Sequence, residues 1–182
     1  MKTWILNGSP RKMGNTSYLV EELVRKLDGE SKIVFAYDSA ASACIDCRYC
    51  WKNDGCSIDD AMQEIYKDIE ESDHIVLASP MQFMGLSAPL LCVASRFQRY
   101  YAARKFRNIE PFVVPKKGAL ILTGGGDGGT KHAVAVARLI LKEVGADLLA
   151  SAMSLGTDTL SSREDTKALE EIAAMAKILN RA

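Results

Sequence analysis

Hydrophobic positions along the chain fall into short runs that alternate with segments of helical pattern. Several runs are apolar almost throughout, which is typical of strands buried on both faces of a parallel sheet. The predicted strands are TWILN (3–7), KIVFAY (32–37), HIVLAS (74–79), GALILT (118–123) and ADLLASAMSL (146–155). The predicted helices cover 15–27, 59–71, 86–105, 130–144 and 162–181. In the second of these, SIDD predicts a capping-box-like start with Ser57 as the N-cap.

These βα units show no internal repeat and no linker, so the pattern predicts one three-layer α/β domain over residues 1–182. For five parallel strands the natural candidate is a doubly wound, flavodoxin-like sheet with the order 2-1-3-4-5. Ligands of such sheets bind beyond the carboxyl ends of the strands. The loops that carry function are therefore expected after Asn7, Tyr37, Ser79, Thr123 and Leu155.

Charge and composition narrow the possible partners. The chain has 23 basic and 23 acidic residues, so no overall field recruits nucleic acid or an anionic membrane surface. No apolar run approaches the roughly 20 residues of a membrane helix, and the start MKTWILNGSPRK does not fit a secretory signal. We therefore expect a cytoplasmic protein. In a reducing compartment, clustered cysteines indicate metal or redox chemistry rather than a disulfide framework.

The loop after the first strand, NGSPRKMGNTS (7–17), has the composition of an anion-binding loop. Gly8 and Gly14 allow tight turns, Arg11 and Lys12 add positive charge, and a helix is predicted to begin near Asn15. Backbone N–H groups, hydroxyls and a helix N-terminus together favour a phosphate. The alternative is an ordinary capped helix that follows a polar turn.

Two further loops at the same edge are unusual. SPMQFMGLSAPL (79–90) is too apolar for an ordinary solvent loop, and it predicts a wall for a flat aromatic ligand, a buried subunit interface, or both. TGGGDGGT (123–130) contains repeated glycines, which let a backbone approach a planar ligand closely.

Together these three loops resemble those of the NAD(P)H-dependent FMN reductases of flavodoxin-like fold, over essentially the whole chain. The resemblance implies that the FMN phosphate is bound at Ser9, Arg11, Asn15, Thr16 and Ser17. It implies that the isoalloxazine ring is lined by Pro80, Met81, Gln82, Phe83 and Gly85. It implies that the pyrimidine end of the flavin meets Thr123, Gly124, Gly125 and Asp127.

Four of the five cysteines lie in one short segment after the second strand, at Cys44, Cys47, Cys50 and Cys56. The spacing C-x2-C-x2-C-x5-C resembles that of the iron-sulfur flavoproteins, a branch of the same family, and implies a [4Fe–4S] cluster on these four thiolates. The alternative is a loop of free thiols that packs over the flavin or at a dimer interface. The fifth cysteine, Cys92, is predicted to be a core residue.

The stretch RFQRYYAARKFR (96–107) holds five basic and four aromatic residues. Nucleic-acid binding would use such a patch, but on a neutral protein it more often forms a subunit contact. A basic patch near the flavin would also attract an acidic electron-transfer partner or a dinucleotide phosphate. We interpret the stretch as an interface that also steers partners.

The resemblance implies an FMN-dependent oxidoreductase that exchanges electrons with a small-molecule or protein donor and acceptor, with NAD(P)H as a possible donor. The cofactor performs the chemistry, so no side chain is expected to act as a catalytic acid or base. Two alternatives remain open, a flavodoxin-like electron carrier without its own substrate and a thiol-based redox sensor. The apolar loops further predict a homodimer or a dimer of dimers.

Overall fold

The structure is a computed structural model that describes residues 1–126 and 128–181. In this part of the chain, five parallel strands form one sheet with the order β2-β1-β3-β4-β5. The strands are β1 (Lys2–Asn7), β2 (Glu30–Phe35), β3 (His74–Pro80), β4 (Lys116–Gly124) and β5 (Ala146–Leu155). The predicted fold class and strand order are confirmed, and the strands lie close to their predicted positions, except that β2 covers Glu30–Phe35 rather than 32–37.

Helices cover both faces of the sheet. They are α1 (Asn15–Val24), α2 (Tyr49–Lys52), α3 (Met62–Glu71), α4 (Ala88–Ser95), α5 (Gln98–Arg107), α6 (Lys131–Glu143) and α7 (Thr166–Leu179). None of the helices in the described residues has the length and apolar character that a membrane crossing requires.

The apolar runs of the central strands β1, β3 and β4 form strands because both of their faces are buried. In β1, Trp4 and Leu6 belong to one hydrophobic cluster, whereas Ile5 between them belongs to the cluster on the opposite face. All three side chains are completely buried. Each such side chain contributes about 1.5–3 kcal/mol when it is removed from water, so the two-sided core holds the carboxyl ends of the strands in a fixed arrangement.

The predicted helix over 86–105 is instead two helices, α4 and α5, separated at Arg96 and Phe97. The N–H groups of Arg96 and Phe97 donate to carbonyls three residues earlier, at Val93 and Ala94, as in a 3₁₀ turn. The Tyr66 hydroxyl of α3 donates to the Arg96 carbonyl at 3.0 Å. The break is therefore stabilised by a tertiary contact that the local sequence does not reveal.

The predicted N-cap at Ser57 is wrong, because α3 begins only at Met62. The Asp60 carboxylate accepts a hydrogen bond from the Met62 N–H at 3.0 Å, close to the observed start of the helix. The Ser57 hydroxyl instead lies 3.1 Å from the Cys47 sulfur. The N-cap position is occupied by Ala61, and the side-chain hydrogen bond near the helix start is accepted by Asp60 rather than by the serine.

Candidate functional site

The loops after β1, β3, β4 and β5 enclose one cleft of about 250 Å³ at the carboxyl edge of the sheet. Most of the residues predicted to bind FMN line it: Ser9, Arg11, Asn15, Thr16, Pro80, Met81, Gln82, Thr123, Gly124 and Gly125. Four lining residues were not predicted as ligand contacts: Pro10, Gly14, Thr157 and Asp158. The predicted contact at Asp127 lies outside the described residues.

Hydrogen bonds within the loop after β1 shape this side of the cleft. The Ser17 hydroxyl donates to the Arg11 carbonyl at 2.9 Å and accepts from the Asn7 amide at 3.0 Å. The Asn7 carboxamide oxygen accepts from the Ser9 N–H at 2.9 Å. Ser17 is buried behind the loop and does not line the cleft. Its role in the structure is to hold the loop closed around Arg11.

The cleft has an electropositive end at the start of α1. The helix begins at Asn15 after Gly14, which supplies no side-chain cap, so its first N–H groups face outward without an intrahelical partner. Arg11 lines the cleft, and among the described residues its guanidinium is in no ion pair, whereas Lys12 pairs with Asp38 at 2.7 Å. Helix N–H groups and a guanidinium at one point favour an anion.

A buried hydrogen bond connects two of the cleft loops. The Thr16 and Thr123 hydroxyls lie 2.7 Å apart, and both residues are almost completely buried. Because each buried hydroxyl satisfies the other, the contact stabilises the packing of α1 against the end of β4. This contact thus fixes the position of the anion-binding loop relative to the glycine-rich loop.

The loop after β3 contains a tight turn whose residues do not line the cleft. Gln82 and Gly85 exchange two backbone hydrogen bonds, which leaves Phe83 and Met84 as a two-residue turn. Both turn residues have left-handed backbone angles, φ 49° and 62°, and Phe83 is fully exposed. Phe83 and Gly85 were predicted to line the flavin, and the structure does not bring them into this cleft.

The glycine-rich loop packs closely against the loop after β5. Thr157 N–H donates to the Gly124 carbonyl at 3.0 Å, and Gly156 N–H donates to the Gly126 carbonyl at 3.1 Å. A Cβ added to Gly125 would lie 2.4 Å from a carboxylate oxygen of Asp158. Only glycine fits at Gly125 without displacing that carboxylate.

Of the four missed cleft residues, Thr157 and Asp158 lie in a loop from which no contact was predicted. A signal did exist, because the loop after the fifth strand was expected at the ligand edge. No anion-binding or apolar pattern singled out individual residues there. Their position depends on pairing with the glycine loop some thirty residues earlier in the sequence, which is a long-range contact.

The four clustered cysteines do not line this cleft. Cys44 and Cys47 are exposed, and Cys50 and Cys56 are half-buried. Nowhere in residues 1–126 and 128–181 do three or more His, Cys, Asp or Glu side chains form a group that could hold a metal ion. The predicted ligands Cys44, Cys47, Cys50 and Cys56 therefore lie in one loop but are not arranged as a ready metal site.

The environments of two of these thiols differ. A hydrogen bond with the Ser57 hydroxyl lowers the pKa of the exposed Cys47 thiol. Burial raises the pKa of the Cys50 thiol. The residues on either side of Cys47, Asp46 and Arg48, have left-handed φ values of 49° and 61°. Such angles cost non-glycine residues about 1–3 kcal/mol each, so surrounding contacts must hold this loop.

Those contacts come largely from the basic stretch 96–107. The Trp51 ring of α2 stacks on the Phe106 ring of α5, with centroids 4.0 Å apart. The arginines of the stretch form ion pairs inside the fold, for example Arg99 with Glu70 at 3.3 Å. Much of the positive charge is therefore paired within the chain, and the role of the stretch as an interface that also steers partners stays a prediction. Cys92, on α4, was predicted to be a core residue but is only half-buried, with its sulfur 3.6 Å from the Ala41 carbonyl.

A comparison with known protein families supports FMN as the ligand expected in the cleft. Residues 1–159 match the family model described as NADPH-dependent FMN reductase. The chain belongs to this family. The resemblance inferred from the three loops is thus confirmed, and membership supports FMN as the cofactor of the cleft and an oxidoreductase as the class of protein.

Relatives in this family include proteins named iron-sulfur flavoprotein. One from Methanocaldococcus jannaschii is 35% identical over 111 residues, which are 59% of this chain and 58% of that protein. One from Archaeoglobus fulgidus is 27% identical over 148 residues, which are 80% of this chain and 64% of that protein. The chain thus matches only about three fifths of the length of these relatives.

Solved structures share the fold at low identity. An NAD(P)H:quinone oxidoreductase from Methanothermobacter marburgensis superposes with a TM-score of 0.78 at 15% identity, over 100% of this chain and 98% of that chain. An FMN-dependent NADH-azoreductase from Bacillus anthracis, in complex with FMN, has a TM-score of 0.66 at 11% identity, over 99% of both chains. These likenesses support the flavodoxin-like architecture.

Proposed function

We propose that the protein is an FMN-dependent oxidoreductase that takes electrons from NADPH or NADH and passes them to a small-molecule or protein acceptor. The observation that carries this proposal is the cleft whose anion-binding end, at Arg11 and the start of α1, adjoins the glycine loop and the loop after β3. Family membership points to the same cofactor.

The described residues fit FMN. Arg11, the Thr16 hydroxyl and the first N–H groups of α1 would hold the phosphate. The Asn15 carboxamide oxygen accepts from the Ser162 N–H at 3.1 Å, which leaves the amide N–H₂ of Asn15 available as a donor. Met81 and the glycine backbone at Gly124 offer an apolar and flat surface for the ring.

When bound, FMN supplies the redox chemistry by accepting a hydride equivalent and releasing electrons to an acceptor. The chain's part is to bind and orient the cofactor. The N–H groups of Gly124 and Gly125 carry partial positive charge, which favours added negative charge on a ring bound against them. Asp158 contributes a carboxylate at the same edge, where it can accept a hydrogen bond from a ligand hydroxyl or N–H.

The proposal is tested by steady-state oxidation of NADH and NADPH with quinone, free flavin or ferric acceptors. We expect turnover by protein loaded with FMN and none by the same protein stripped of flavin. Stoichiometric FMN that neither nucleotide reduces, but that a reduced protein donor does, would favour the electron-carrier alternative. Failure to bind FMN at all would contradict both.

We also propose, as a second function, that the cysteine segment accepts a [4Fe–4S] cluster. The support is the C-x2-C-x2-C-x5-C spacing and the names of the relatives. Since the described side chains do not form a ready metal group, the thiols would have to converge when a cluster is loaded.

Anaerobic reconstitution with iron and sulfide tests this second function. Cluster absorbance should appear in the natural protein and in the Cys92→Ala control. It should be absent from single alanine variants of Cys44, Cys47, Cys50 and Cys56, which should all keep FMN. Protein that takes up no iron would leave the loop as free thiols, in line with the redox-sensor alternative, and would not affect the FMN proposal.

Self-association belongs to the same proposal. Phe83, Met84 and Met13 are exposed apolar side chains on loops at the carboxyl edge of the sheet. Exposed apolar surface of this kind commonly marks a protein contact. We propose a homodimer, or a dimer of dimers, that covers the turn after β3. The cytoplasmic location, expected because the sequence showed no membrane-helix or secretory-signal pattern, stays a prediction.

A further inference from the structure

One arginine side chain connects both ends of the cysteine loop, which we define as residues 42–60. The Arg96 Nη1 donates to the Ser42 carbonyl at 3.0 Å and to the Asp60 carboxylate at 2.9 Å. Its Nη2 donates to the Ile58 carbonyl at 3.2 Å. Ser42 lies before the first cysteine of the loop, and Ile58 and Asp60 lie after the last. A single guanidinium therefore closes the base of the loop.

The Asp60 carboxylate completes this closure. It accepts from the Ser42 N–H at 2.9 Å, so the two limbs are also joined directly. The planar guanidinium suits the arrangement, because its donors diverge in a fixed fork that reaches several acceptors at once. A lysine would offer one point charge in the same place and could not reproduce that geometry.

The ion pair at the base of the loop is more buried than the ion pairs near its tip. At the tip, Asp54 pairs with Arg107 at 3.2 Å and with Arg99 at 3.7 Å, but the Asp54 side chain is 80% exposed. Exposed ion pairs contribute little because water screens them. At the base, the side chains of Arg96 and Asp60 are 0% and 13% exposed. The buried pair is the contact whose loss leaves charge without a partner.

The fold places Arg96 at this point for a structural reason. Arg96 lies at the break between α4 and α5, and the Tyr66 hydroxyl of α3 holds its carbonyl. The hydroxyl of the preceding residue, Ser95, accepts a hydrogen bond from the Cys44 N–H at 3.0 Å. The break thus places the side chains of Ser95 and Arg96 against the first residues of the loop, Ser42 and Cys44.

We infer that Arg96 is the positioning residue of the cysteine loop: by bridging Ser42, Ile58 and Asp60 it keeps Cys50 and Cys56 sheltered while Cys44 and Cys47 stay exposed. Cys56 packs against the main hydrophobic cluster, and this packing depends on a closed base. The role concerns the loop itself and holds with or without a metal, so it goes beyond the oxidoreductase function.

The test is the alkylation rate of each cysteine in intact, reduced, iron-free protein treated with iodoacetamide and followed by mass spectrometry. In Arg96→Gln we expect the rates of Cys50 and Cys56 to rise at least about tenfold, because the loop opens locally. Cys44 and Cys47 are already exposed, so their rates should change by less than about twofold. Bound flavin should be retained, because Arg96 does not line the cleft.

Arg104→Gln is the matched control. Arg104 lies on the helix that follows Arg96 and pairs with Glu143 and Glu110, outside the loop. Its removal should leave all four rates at the values of the natural protein. Equal acceleration in Arg104→Gln, or unchanged protection of Cys50 and Cys56 in Arg96→Gln, would overturn the inference.

Two further variants separate geometry from charge and guard against misfolding. Arg96→Lys should accelerate alkylation as Arg96→Gln does, and full protection in it would contradict the role of the guanidinium fork. If Arg96→Gln loses flavin and all its thiols react at denatured rates, Asp60→Asn decides, since it keeps the arginine and the side-chain volume. Asp60→Asn should expose Cys50 and Cys56 selectively, and unchanged rates there would refute the inference.

Discussion

Gly125 is the cleft-lining glycine at which an added Cβ would come closest to a neighbouring side chain. Its neighbour across the loop is the Asp158 carboxylate, whose oxygens would lie 2.4 and 2.5 Å from an added Cβ. Gly128, in the same loop, has nothing within 4 Å of the corresponding position. Comparing alanine substitutions at Gly125 and Gly128 therefore separates the effect of close packing from the effect of the flexibility that any glycine provides.

We therefore expect Gly125→Ala to weaken FMN binding by about tenfold, which corresponds to about 1.4 kcal/mol and to the usual cost of overpacking. Gly128→Ala should bind FMN as the natural protein does. Fluorescence titration with FMN measures both. Adding Asp158→Ala to Gly125→Ala should recover part of the loss, and if the double variant binds no better, the steric explanation is wrong.

Residues also explain what sequence reasoning could and could not find in the cleft. Arg11 and the glycines were identifiable because their types suit anions and close backbone approach whatever their neighbours. Ser17 was predicted as a ligand contact but is buried behind its loop, where its hydroxyl serves Arg11 and Asn7. Which hydroxyl faces a ligand and which faces the fold is decided by packing, and the sequence pattern is the same for both.

At the scale of structural elements, the ion pair at the base of the cysteine loop predicts how the stability of the protein depends on pH. Burial raises the pKa of Asp60, but the hydrogen bond from Arg96 and those from the Ser42 and Met62 N–H groups outweigh it, so the pKa is lowered overall. A lowered folded-state pKa contributes stability above the unfolded-state value of about 3.9, and that stability is lost as the pH falls through the folded value.

Asp60→Asn should accordingly be less stable than the natural protein by roughly 2–4 kcal/mol near neutral pH. The difference should shrink as the pH falls from about 4, where the carboxyl of the unfolded chain takes up a proton, through the lowered pKa of Asp60 in the folded protein. Urea unfolding over a pH series measures it. Asp54→Asn, at an exposed tip, should differ by less than about 1 kcal/mol throughout. If the difference in free energy of unfolding between Asp60→Asn and the natural protein does not vary with pH, the account is contradicted.

The turn after β3 is a second element, and its backbone strain can be tested by substitution. Phe83 and Met84 both have positive φ, which two-residue hairpin turns usually assign to an asparagine followed by a glycine. The double substitution Phe83→Asn and Met84→Gly should therefore stabilise the folded chain by about 1–2 kcal/mol. If the turn is a subunit contact, as proposed, the same change should weaken self-association.

Sedimentation and thermal unfolding of the double variant measure the two effects together. Leu139→Asn, which removes an exposed apolar side chain on α6, is the control and should leave self-association unchanged. A natural protein that sediments as a monomer at micromolar concentration with FMN bound would rule out the proposed dimer. A variant that dimerises as well as the natural protein would exclude the turn as the contact.

For the whole molecule, the sheet was predictable because its strands are nearly continuous apolar runs, as in HIVLAS against the observed His74–Pro80. The break at Arg96 was not, because its cause lies in Tyr66, Ser42 and Asp60, which are far away in sequence. Helix α2 has only four residues, too few to produce a periodic pattern. Local patterns thus predicted the architecture, while long-range polar contacts determined the cysteine loop.

The central claim is that the cleft binds FMN through its phosphate at Arg11 and the start of α1. Parallel titrations with FMN and with riboflavin, which lacks the phosphate, test it most directly. The natural protein should prefer FMN, and Arg11→Ala should lose about tenfold in FMN affinity with riboflavin affinity unchanged. Lys12→Ala, which removes a neighbouring cation already paired with Asp38, should alter neither. Equal affinity of the natural protein for FMN and riboflavin would contradict the account.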